Sequence, residues 1–86
     1  MPNSGQPINK TATGDIANSP GTLIGFYVNS TTSGTIVLRD GGSGGTVVTG
    51  TMTPSAGWNY FLGSFSGKPH ATIGGTLDVT FIFQPG

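Results

Sequence analysis

Between residues 71 and 84 (ATIGGTLDVTFIFQ), Leu77, Val79, Phe81 and Phe83 alternate with Asp78, Thr80, Ile82 and Gln84. A period of two is that of a strand with one face on a core, and this stretch is expected to be the central strand. Gly74 and Gly75 precede the alternation, and a glycine pair supplies the positive φ of a two-residue hairpin turn. Residues 71–73 are therefore expected to fold back on the strand's start.

Upstream the same pattern recurs in shorter pieces. Ile24, Phe26 and Val28 lie on one face of residues 22–30, with Leu23, Gly25 and Tyr27 on the other. Both faces are partly apolar, which suits an inner strand or an interface. Residues 30–34 (STTSG) have the length of a hairpin loop, and 35–40 (TIVLRD) return as a second strand. Residues 46–53 (TVVTGTMT) and 58–62 (WNYFL) read as two more, the latter placing Trp58, Tyr60 and Leu62 on one side. Pro69 argues against a central strand at 64–70, and His70 is expected in a surface loop. No window shows a helical period of apolar residues. The pattern predicts an all-β fold: a small antiparallel sandwich, jelly-roll-like or Greek key, of about six to seven short strands.

Residues 1–20 are polar and rich in turn formers, with Ile8 and Ile16 as their only large aliphatics. They read as an N-terminal arm on a domain of residues 21–86, and an arm this polar is expected to gain order by lying on a neighbour. Asp40 and Gly41 open a glycine-rich turn whose tip, Gly42, Ser43 and Gly44, is expected to be mobile.

Composition narrows the function. Leu, Ile, Val and Phe supply 20 of the 86 residues, only a little above the roughly 20 % below which chains tend to disorder. Cysteine is absent and there is one histidine, so neither disulfides nor a metal is expected to staple so thin a core. Burial against other copies or a partner is the remaining source of stability. Lys10, Arg39 and Lys68 are scattered, which speaks against nucleic acid. No run of about 18 apolar residues suggests a membrane span, and no secretion leader is expected.

Chemistry has little to work with. Asp15, Asp40, Asp78 and His70 allow a Ser-His-Asp triad on paper, but no G-x-S-x-G elbow accompanies them. The run 41–46 (GGSGGT) lacks the Lys and the helix of a phosphate loop. A calcium site around Asp40 would have one carboxylate, too few for that ion. We therefore expect no enzyme activity and no cofactor. Tyr27, Trp58, Tyr60 and Phe65 remain, either as core and subunit interface or as a stacking platform. The proposed strands carry only Arg39, Asp40 and Asp78 as charges. Their edges lack the usual protection against another chain, which points to a symmetric oligomer or a larger shell.

The stretches 21–41 (GTLIGFYVNSTTSGTIVLRDG), 53–61 (TPSAGWNYF) and 71–81 (ATIGGTLDVTF) give the chain a resemblance to small all-β virion proteins of tailed bacteriophages and prophages. That resemblance implies a non-enzymatic structural protein, a head decoration or cement protein on the major capsid shell, often a trimer. It would be made in the bacterial cytoplasm and end on the capsid exterior. On this reading Ile8, Lys10 and Ile16 of the arm contact the capsid, and Tyr27, Trp58 and Tyr60 pack subunits or form an exposed anchor. The alternatives are a carbohydrate-binding module, for which Trp58 and Tyr60 must be exposed, and a tail-fibre or neck component.

Overall fold

The computed structural model describes residues 6–85. Its strands in chain order are β1 (Gln6–Lys10), β2 (Gly14–Asp15), β3 (Gly21–Asp40), β4 (Thr46–Val47), β5 (Gly57–Phe65) and β6 (Pro69–Pro85). The protein is all-β, and the six antiparallel strands form one open sheet where the alternation suggests two stacked ones.

β3 and β6 are the axis of that sheet, paired from Gly21↔Pro85 to Asp40↔Pro69. The first half of β3 and the second half of β6 are flanked by β5 and β1. The other halves are flanked by β4 and β2. Two expected hairpins are thus corrected. Residues 30–34 do not turn the chain back, and residues 71–73 do not fold onto 77–83. At both places the strand bends and continues. Ser33 and Gly34 are two residues set against Gly75 alone, between the pairs Thr32↔Thr76 and Thr35↔Gly74. Ser33 has φ 56° and Gly75 φ 68°. A two-against-one bulge sharpens the local bend, so these turn formers make a shared corner in a long ribbon. A side chain at Gly75 would run into the Ser33 carbonyl.

From Gln6 onward the arm also finds its partner within the chain, residues 1–5 of the expected arm lying outside the described residues. β1 pairs with β6 from Gln6↔Phe83 to Lys10↔Val79, and β2 from Gly14↔Ala71 to Asp15↔His70. Its polar sequence suits an edge strand, whose apolar support comes from the strand beside it. The expected strand at 46–53 shrinks to β4 and a single bridge, Ile36↔Met52. The run is short because Val47 and Val48 find no core to face and are 49 % and 43 % exposed.

One core serves the whole ribbon. Leu23, Phe26 and Val28 come from one half of β3, Ile36 and Leu38 from the other, and Leu77, Val79, Phe81 and Phe83 from β6. Phe26 and Phe81, direct partners across the strands, hold their rings 5.6 Å apart at 55°. Burying each such side chain contributes about 1.5–3 kcal/mol. Phe65 and Ile16 close the cluster from β5 and from the residue after β2.

Candidate binding face

The outer face of the half-sheet β1–β6–β3–β5 is where exposed aromatic residues gather. Register places Trp58 beside Tyr27, Tyr27 beside Thr80, and Thr80 beside Asn9, a row crossing all four strands. Tyr60 stands beside Gly25. Trp58 is 51 % exposed, Tyr27 48 %, Tyr60 71 % and Leu62 60 %.

The pose of Trp58 depends on Gly25. A Cβ at Gly25 would stand 2.6 Å from Cζ2 and 2.8 Å from Cη2 of the indole. The six-membered ring therefore rests on bare backbone, and any side chain at position 25 would lift it. Alternation along β5 turns Tyr60 and Leu62 outward and packs Phe61 on the core, while a bulge, where Leu23 pairs with Gly63 and Gly25 with Tyr60, lets Leu23 face the core and Gly25 the indole. Bulges re-aim side chains in this way.

Beside the aromatics the face is polar. Asn9 Nδ2 donates to Asp78 Oδ1 at 2.7 Å and to Thr80 Oγ1 at 3.2 Å. From the other flank, Asn29 Nδ2 donates to the same two oxygens at 3.2 and 3.1 Å. These bonds align both amides. The side-chain carbonyl oxygens of Asn9 and Asn29 accept no hydrogen bond from the described residues, and the Tyr27 and Tyr60 hydroxyls make none there.

The remaining sequence-derived candidates are distributed elsewhere. Ile16 is 4 % exposed in the core, and Ile8 packs against that core. Ile16 therefore presents no free apolar surface to a capsid, whereas Ile8 is half-buried. Lys10, at the end of β1, lies against Gly14 at the start of β2. Gly42 is buried, with its amide and that of Gly41 donating to the Lys68 carbonyl at 3.0 and 2.9 Å. Only Ser43 and Gly44 of that expected mobile tip are exposed. Phe65 belongs to the core, not to a platform.

His70 is the clearest correction. It is buried at 3 % exposure, and its Nδ1 lies 2.8 Å from Asp15 Oδ1. Lys68 Nζ stands 3.7 Å from the other carboxylate oxygen. The His70 hydrogen bond foremost, with the Lys68 charge adding to it, holds the Asp15 carboxyl below the usual carboxylate range despite an opposing cost of burial. Asp40 is lowered too, by the backbone amides of Ser66 and Gly67, which donate to it at 3.1 and 2.7 Å. Both carboxylates tie strand ends together. Among the described residues no three His or Asp side chains gather as metal ligands, and no cavity opens.

Neither family models, nor curated proteins, nor solved structures give a match to this chain.

Proposed function

We propose that this chain is a non-enzymatic structural protein of a tailed-phage particle, a decoration protein that assembles as a homotrimer and stabilises the major capsid shell. The particle and the shell come from the resemblance of residues 21–41, 53–61 and 71–81 to phage virion proteins. The observation that carries the assembly is the edge strand β5. It runs nine residues, GWNYFLGSF, pairs on one side only, and has no charge and no proline. The opposite edge, β1, carries both Pro7 and Lys10. Soluble sheets defend their edges with such residues or with bulges; β5 has only the bulge between Tyr60 and Gly63, so β1 reads as an outer boundary and β5, the less defended edge, as a joint. In this reading the corner at Ser33 and Gly75 brings the two halves of the ribbon over one core as the layers of a sandwich. Contact through an edge lies in the plane of the sheet, which leaves the outer face of the half-sheet turned away from the neighbour.

The test is the solution mass by light scattering, with co-sedimentation on empty shells of a tailed-phage major capsid protein. A trimer that coats shells is the expected result. Leu62→Lys, which puts a charge on the uncharged edge, should yield folded monomer with little shell binding. A wild-type monomer that leaves shells bare sinks the reading.

A further inference from the structure

The aromatic and polar halves of the outer face stand side by side, and together they suit a particular kind of ligand. The indole of Trp58 rests on Gly25 with half its surface open. Tyr27 adjoins it on one side, and Tyr60 lies two residues along β5. Next to Tyr27, the comb of Asn29, Thr80, Asp78 and Asn9 spans β3, β6 and β1. Neighbouring strands lie about 4.8 Å apart, so aromatic surface and hydrogen-bonding groups are within the span of a short oligosaccharide. A pyranose ring has an apolar C–H face for stacking and a rim of hydroxyls for such groups.

We propose that this face binds a neutral oligosaccharide, with sugar rings stacked on Trp58 and Tyr27 and hydroxyls bonded to Asn29, Asn9 and Asp78. Charge and area select this occupant. The comb and the aromatic stripe together carry one charge, Asp78, and the Asp78 Oδ1 oxygen already accepts from two amides. An anionic ligand has no cation to meet there, and stacked nucleic acid normally needs one. The two amide carbonyls and the two tyrosine hydroxyls supply acceptors and donors for neutral hydroxyls. The four exposed apolar side chains offer on the order of 400 Å², the size of a single functional patch. A stable protein partner needs about 800 Å² from each side. Among the described residues no cavity interrupts the face, and an open surface suits an extended chain of sugar rings.

Trp58 is the sole tryptophan, so its fluorescence reports on the site directly. The probes are cellohexaose, maltohexaose and chitohexaose, titrated into the full chain. At least one should give a saturable change in Trp58 emission. Tyr27→Ala, Trp58→Phe and Asn29→Ala should each weaken that binding about tenfold or more, by calorimetry, while circular dichroism stays that of the wild type. Asn29→Ala removes one exposed side chain and keeps the fold testable if an aromatic variant fails. No saturable response to the three sugars overturns the proposal, as does a response that Asn29→Ala and Tyr27→Ala both leave unchanged. A sugar response that disappears as protein concentration rises also overturns it, by assigning the face to a second copy. Shell coating is measured separately, so sugar binding by a protein that leaves shells bare counts against the decoration reading alone.

Discussion

His70 Nδ1 stands 2.8 Å from Asp15 Oδ1, and this bond joins the two-residue strand β2 to the start of β6. Around it, the Ile16 amide donates to the Pro69 carbonyl at 2.7 Å and Ile16 enters the core. The N-terminal segment is therefore clasped at β2 as well as paired along β1. Asp15→Ala should leave the buried imidazole without its partner, at about 1 kcal/mol. Hydrogen exchange should then speed up in β1 and β2 first, with β3 little changed. Uniform acceleration throughout the chain would mean that the clasp is not local.

The same carboxylate gives a pH dependence. Asp15 and Asp40 both titrate below their ordinary value when folded. The unfolded chain binds protons more readily than the native state there. Their stabilisation is present above the ordinary carboxylate value of about 3.9 and is lost as pH falls through the folded values. Urea midpoints should hold near neutrality and decline below about pH 4. Asp15→Ala and Asp40→Ala should each flatten that decline.

Asp40 also fixes a turn. Its side chain takes the amides of Ser66 and Gly67 and the Ser66 hydroxyl, the last at 3.1 Å. Through it the last residue of β3 holds the connection from β5 to β6. Asp40→Ala should lower the melting midpoint and speed exchange at Ser66 and Gly67 ahead of the strands. Unchanged exchange at those two amides would show that the turn holds by its backbone alone.

Gly75 has φ 68°, and a side chain there would strike the Ser33 carbonyl across the corner. Gly75→Ala should cost about 1–3 kcal/mol, read as a shift in urea midpoint. Gly44, which has open space around it, is the control, and Gly44→Ala should be close to neutral.

Phe81 is fully buried at the centre of β6. Phe81→Ala should remove about 3–5 kcal/mol, most of what a domain this small is expected to hold. The far-ultraviolet circular dichroism of this variant should be that of an unfolded or nearly unfolded chain at 25 °C.

The strands themselves were legible from the sequence wherever a core lay on one side. The alternation of Leu77, Val79, Phe81 and Phe83 marks a central strand, and all four are buried. Continuity was not legible, because Ser33-Gly34 and Gly74-Gly75 carry the same residues whether a ribbon bends or reverses. Facing one another, they bend it. β1 was missed because QPINK has almost no apolar pattern of its own, its place being set by β6. The outward set of Trp58, Tyr60 and Tyr27 could be written from alternation. The seat of Trp58 on Gly25 could not, since it depends on register between β3 and β5. His70 was misplaced because its partner Asp15 lies 55 positions away, a separation no local rule spans.

The pairing of β1 with β6 has a consequence in time. Asn9 meets Asp78 across 69 positions of chain, and β6 lies next to β1, β2 and β3. During synthesis β1 to β5 emerge first and wait for the strand that joins most of them. Until β6 leaves the ribosome, β1 and β2 have no partner and β3 lacks its longest one. The uncharged β5 spends that interval next to an unfinished sheet. Folding dominated by such distant pairs is slow, so the nascent chain is most exposed to aggregation just before β6 appears.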